Sequence, residues 1–168
     1  MSACSITLKG IDFSCKDSVG GIKQVWLAPW REDGFGEPNE GVIDLQEFSS
    51  TDFKKYRFRV GNGSMNTTLN ADEANGTVFA STELNMKFTK LSVETRAEIA
   101  EILKGNVAAI VEDNKGTKWA LGVEHPLTLT AGTVATGATM SDFAGYDITL
   151  TDTCSTLPYQ FDDDSFVG

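Results

Sequence analysis

The chain has 168 residues, 40% hydrophobic and 23% charged, which is material for one soluble domain with a real core and a radius of gyration of ~15 Å. Fourteen Lys and Arg against twenty-four Asp and Glu leave a formal charge of -10, which opposes affinity for a phosphate backbone and argues against a reader of DNA or RNA. Cys4, Cys15 and Cys154 lack CxxC spacing and point to neither a disulfide framework nor a zinc site. With no leader-like or bilayer-length apolar run, the expected setting is a reducing cytoplasm, without a membrane.

Thr, Val, Phe and Gly are spread through short alternating segments, so the expected fold class is mainly β. The first strand is placed at 22–28, between Gly20-Gly21 and Pro29. Its apolar residues fall on both faces, Val25 and Leu27 on one and Trp26 and Ala28 on the other, so burial on both is expected.

From Arg31 to Asp52 there are seven acids and one Arg, broken by Gly34, Gly36, Pro38 and Gly41. This reads as a solvated loop, interrupted at most by a short strand at 42–47. A strand at 53–60 follows, with Tyr56, Phe58 and Val60 on one face and Lys55, Arg57 and Arg59 on the other. After Gly61-Asn62-Gly63 come a polar strand near 65–70, a two-residue turn at Asn75-Gly76 and a long alternating return strand at 77–89.

One helix is predicted, over 93–104, capped by Ser92 and ended by Gly105, with Val93, Ala97, Ala100 and Leu103 or Lys104 toward the sheet. Strands at 107–111 and 118–123 flank the turn Asp113-Asn114-Lys115-Gly116. The last strands are expected at 127–130 and 146–151, separated by a long loop or edge ribbon over 131–145. An extended tail, 155–168, contains Asp162, Asp163 and Asp164 and is expected to fray or to order against a neighbour.

Catalytic chemistry has little to stand on. His125 is the sole histidine and sits before Pro126 in a predicted turn, which leaves no base for a Ser or Cys triad. No spacing marks one carboxylate pair among twenty-four acids, Asp162 to Asp164 lack the staggering and Gly of a calcium loop, and no phosphate-binding glycine motif occurs. The reading is a non-enzyme with no cofactor and no metal.

Charge is segregated along the chain. The strand face Lys55, Arg57 and Arg59 is basic, whereas the final fifty residues hold seven acids and no Lys or Arg. A solvated strand face is one reading. The other is self-association, in which Lys55, Arg57 and Arg59 of one copy meet Asp162, Asp163 and Asp164 or the 31–52 acids of the next.

The succession of Gly20-Gly21-Ile22-Lys23, a long hairpin, one helix, Val111-Glu112-Asp113-Asn114-Lys115-Gly116 and Ala144-Gly145-Tyr146-Asp147-Ile148-Thr149-Leu150 resembles phage tail tube proteins, in particular small virion proteins of phages of Bacteroidetes-type hosts. That resemblance implies a β-sandwich or barrel with one flanking helix, assembled as stacked hexameric rings around a DNA-conducting lumen. Six copies giving four strands each would make twenty-four strands, a circumference of ~115 Å and a backbone diameter of ~37 Å before tilt, enough for duplex DNA. The implied partners are further copies of the chain and other tail proteins (tape measure, terminator, baseplate), with DNA only as transiting cargo. The implied location is the virion, after assembly in the host cytoplasm.

Net acidity suits such a conduit, because a wall of Lys and Arg would hold phosphates and stall their passage. The strand at 77–89 is the first candidate for the inner sheet, with Lys87 an awkward lumen residue, and the 31–52 loop and the tail are expected between stacked rings. Alternatives are a tail terminator, head-tail connector or capsid decoration protein, or a carbohydrate-binding sandwich that would need Trp26, Trp30 and Trp119 as an exposed platform.

Overall fold

A computed structural model describes residues 6–49 and 51–161. Alternating β-branched and aromatic residues produce ten strands, β1 Ile22–Pro29, β2 Val42–Ile43, β3 Lys54–Arg57, β4 Gly63–Asp72, β5 Thr77–Phe88, β6 Val107–Asp113, β7 Lys118–Leu121, β8 Thr128–Ala135, β9 Gly145–Cys154 and β10 Tyr159–Phe161, with one helix, α1 Val93–Lys104. They form a six-stranded sheet, β2-β10-β7-β6-β1-β3, and a four-stranded sheet, β4-β5-β9-β8. The two lie as a sandwich, and neither closes into a barrel within the chain.

The core between the sheets follows from strand alternation. Val25, Leu27, Ala109, Val111 and Leu121 of the larger sheet meet Leu84, Met86, Ile148 and Leu150 of the smaller. Leu84, Leu121, Leu127 and Leu150 are essentially fully buried, and each such side chain contributes about 1.5–3 kcal/mol relative to exposure. Ile99 and Ile102 of α1 complete this core.

The opposite face of the six-stranded sheet is covered as well, which the composition of 31–52 does not suggest. Phe35, Ile43 and Phe48 from that segment pack on Trp26, Ala28, Phe53, Ile110 and Phe161 in a second cluster. Phe48 meets Phe35 and Phe53 edge-on, with ring centroids 5.4 and 5.1 Å apart. The acids of the segment lie outward while Phe35, Ile43 and Phe48 turn inward, with Leu45 partly buried beside them, so the expected solvated loop is a lid on β1. Burial of β1 on both faces follows from this lid.

Other boundaries differ from expectation for local reasons. β3 stops at Arg57, and Val60 is exposed, because the chain turns where Asn62 N donates to Arg59 O. The 42–47 strand shrinks to β2, with Leu45 in a lone bridge to Phe35. The β4–β5 turn holds four residues rather than two: Asp72 pairs with Thr77, and the Asp72 carboxylate accepts from Asn75 N and Nδ2. Residues 131–135 belong to the edge strand β8, paired with β9, so of the two expectations for 131–145 the edge ribbon holds for these five and the loop begins only at Thr136. The start of the expected tail is likewise ordered, since β10 pairs with β7 and β2.

Helix α1 forms where expected, with the Ser92 side chain accepting from Thr95 N, but its buried face is rotated. Ile99 and Ile102 are inside, whereas Val93 and Leu103 are 81% and 59% exposed. The two isoleucines and Thr95 make an i, i+4, i+7 stripe that buries more apolar area than the Ala97 and Ala100 side chains offer.

Candidate assembly surfaces

The four-stranded sheet has one face in the core and one bare. Pairing places Ser81, Glu83, Asn85 and Lys87 of β5 opposite Thr153, Thr151, Thr149 and Asp147 of β9. Their neighbours are Ser64, Asn66 and Thr68 of β4 and Thr133 of β8. The bare face is thus mostly hydroxyls and amides, with Phe79 and Asp72 toward its β4–β5 turn, as alternation requires when only one face meets a core.

Cross-strand bonds tie this face together. Asn85 Nδ2 donates to Asp147 Oδ1 at 2.8 Å and to Thr149 Oγ1 at 3.1 Å, and the Thr130 and Thr151 hydroxyls are 2.9 Å apart. Lys87 Nζ is 4.0 Å from Asp147 Oδ2. Glu83, Asp147 and, at the turn end of β4, Asp72 therefore outweigh Lys87 by two charges.

The edges of the two sheets differ sharply. The six-stranded sheet ends in β2, of two residues, and β3, of four, with Lys54, Lys55 and Arg57 exposed. Short length and clustered cations are the usual defence of an edge against pairing. The four-stranded sheet ends in β4, ten residues, and β8, eight residues. Neither contains Lys, Arg or Pro; β4 has one charge, Asp72 at its end, and β8 has none. Leu69 and Val134 stand on these edges 63% and 65% exposed.

The direction of these edges matters. Every pairing in the four-stranded sheet is antiparallel, so with an even number of strands β4 and β8 run oppositely. A copy related by rotation about an axis along the strands presents its β8 antiparallel to β4, and the ladder can continue.

Lys55, Arg57 and Arg59 are all exposed. Lys55 Nζ lies 5.7 Å from the Trp26 ring centroid, with Lys118 at 5.9 Å. Neither Arg57 nor Arg59 has an ion-pair partner among the described residues. Asp162, Asp163 and Asp164 lie outside the described residues. The acidic 31–52 segment packs on the same sheet face as Lys55, and within that segment Arg31 lies 4.0 Å from Asp52.

The groups nearest to chemistry surround the β7–β8 connection. Asp152, 5% exposed, accepts from Gly122 N at 3.1 Å through Oδ2, while its Oδ1 has no partner. Burial raises its pKa. The Cys154 thiol is pushed up by burial too, which makes it a poor nucleophile. Hydrogen bonds from Ser155 hydroxyl and N–H occupy Glu124 and lower its pKa. His125 is exposed, as its turn position predicts. Among the described residues no group of three or more His, Cys, Asp or Glu is placed to hold a metal ion, and no helix is long and apolar enough to cross a membrane.

The three tryptophans form no shared platform. Trp26 is buried, Trp30 is half-buried with Nε1 donating to Gly122 O at 2.8 Å, and Trp119 is half-buried beside Ile22 and Met65 rather than in the core. The sequence offered 131–145 as a loop or an edge ribbon without joining it to the strand before it, and it did not show Asp147 as the partner of Lys87. Both depend on pairing across the sheet, and the alternation of 128–135 is masked by a bulge between Leu129 and Ala131. No protein-family model, curated protein or solved structure matches the chain.

Proposed function

We propose that the chain is a structural virion protein of the phage tail tube type, whose copies join through β4 and β8 into rings that stack around a passage for DNA. One observation carries the reading: a four-stranded sheet with two long, unguarded edges of opposite direction and a bare polar face. Copies related by rotation pair edge to edge, and closure of the ring removes both edges. The ring then has four strands per copy, and six copies provide the ~37 Å backbone diameter that a hydrated duplex needs.

The chemistry of the bare face supports the same reading. Thr, Ser and Asn offer neutral hydrogen bonding to water, and the single cation, Lys87, lies against Asp147. A wall with a slight excess of carboxylate does not retain phosphates by counterion release. The partners in this reading are other copies of the chain and the proteins that start and end a tail. The location is the virion, after assembly in the host cytoplasm.

Negative-stain electron microscopy and sedimentation of the purified chain across a salt series test this. Stacked rings with a central hole are expected, and Leu69→Lys or Val134→Lys should reduce them to monomers of unchanged circular dichroism, since both side chains are exposed in the single chain. A persistent monomer, or rings indifferent to both substitutions, sinks the reading. Single closed rings that do not stack point instead to a terminator or connector.

A further inference from the structure

Two Asn-Gly dipeptides occur in the chain, Asn62-Gly63 and Asn75-Gly76. Such a pair is chemically labile, because the amide nitrogen after the asparagine can close on the side-chain carbon and glycine puts no Cβ in its way. The two bracket β4, one at its start and one in the turn after it, and the fold treats them in opposite ways.

Asn62-Gly63 is held. Asn62 N donates to Arg59 O at 3.0 Å and its carbonyl accepts from Lys87 N at 2.9 Å, so the peptide that would have to rotate is fixed at its oxygen. Gly63 is buried, and a Cβ there would meet Ile22 Cγ1 at 2.6 Å and Phe58 at 3.0 Å. Asn75-Gly76 is open. All four residues of the β4–β5 turn, 73–76, are exposed, and a Cβ at Gly76 would meet nothing within 4 Å. The peptide joining Asn75 to Gly76 makes no hydrogen bond among the described residues. The Asn75 side chain is tied only to Asp72, whose Oδ2 accepts from Nδ2 at 2.7 Å, and an exposed bond of this kind exchanges with water at little cost.

We propose that Asn75 is a site of spontaneous deamidation. Gly76 N gives up its proton and bonds to Asn75 Cγ, the Cγ–Nδ2 bond breaks, and Nδ2 leaves as ammonia with that proton. Water then opens the five-membered imide at either carbonyl. One opening leaves aspartate; the other leaves isoaspartate, in which the main chain runs through Cγ and gains one carbon. Water is the only other reactant.

Either product changes the turn. The Nδ2 donor becomes a carboxylate oxygen, which sets two like charges where a 2.7 Å hydrogen bond stood, with Glu73 beside them. The Asp72–Thr77 end of the ladder then frays. A further consequence rests on the edge-pairing reading, as the reaction itself does not: the added charge guards the end of β4 against a neighbouring strand, so aged, unassembled chain joins less well.

The test is incubation of the full chain at mildly alkaline pH, with a parallel sample in guanidinium chloride, followed by cleavage after glutamate. Cuts after Glu73 and Glu83 put the two asparagines in separate peptides. Mass spectrometry scores amide replaced by acid, and a methyltransferase specific for isoaspartate scores the second product. In the native chain Asn75 should convert at least about tenfold faster than Asn62, the factor given by ~1.4 kcal/mol of extra opening cost at Asn62. In denaturant the two should convert alike. Asn75→Gln should abolish the reaction at this position, since the longer side chain would have to close a larger ring. Equal conversion in the native chain, faster conversion of Asn62, or conversion of Asn75 only in denaturant overturns the proposal. Asn75→Asp imitates the first product: rings formed from it in native yield remove the assembly consequence, whereas a native chain that forms no rings removes the edge reading and leaves the deamidation result standing.

Discussion

Lys87 and Asp147 face one another across β5 and β9, with Nζ 4.0 Å from Oδ2. This places the one cation of the bare sheet face under a carboxylate, which removes the difficulty that Lys87 poses when its strand is read alone. Asp147→Lys would set two lysines side by side at one end of the face against Glu83 and Asp72 farther along it, removing its acidic excess and making that end basic. Assembled Asp147→Lys protein is then expected to retard duplex DNA at low salt and release it as salt rises, while the native assembly does not retard it. Gel retardation across a salt series measures this.

Gly34 is set by the lid on β1. A Cβ at that position would lie 2.0 Å from the Phe48 ring, which is wedged edge-on between Phe35 and Phe53. Gly34→Ala must push Phe48 out of its place, an overpacking that costs about 1–3 kcal/mol. Thermal unfolding should show the lower Tm.

Asp152 makes stability depend on pH in a defined direction. Its native pKa is raised by burial, so folding takes up a proton. The resulting stabilisation is fully present below the ordinary carboxylate pKa of about 4 and is lost as pH rises through the raised native value. Asp152→Asn keeps an acceptor for Gly122 N and carries no charge. Its Tm is therefore expected to exceed that of the native chain at neutral pH, with the gap closing toward pH ~4.

The cap of α1 is a separate, local test. Ser92→Ala removes the acceptor for Thr95 N and should cost about 1 kcal/mol. Ile99→Ala, which opens a cavity in the inter-sheet core, should cost about 2–5 kcal/mol. Denaturant titration ranks the two.

By itself the sequence determined the mainly β class, the helix at 93–104 with its Ser92 cap, and the two-sided burial of β1. Those rest on spacing and on capping chemistry between near neighbours, so a reader of the linear chain meets all the atoms involved. The tertiary structure alone decided which helix face is buried, because Ile99 and Ile102 win by fitting between Tyr56, Phe88 and the sheet, a contest invisible along the helix. It also decided that Phe35, Ile43 and Phe48 are core: their spacing matches no period, and only the bare face of β1 gives them a reason to turn inward. The unguarded edges are of the same kind. An edge is a statement about which neighbour a strand lacks, and that is a property of the pairing of β4, β5, β9 and β8 rather than of any one segment.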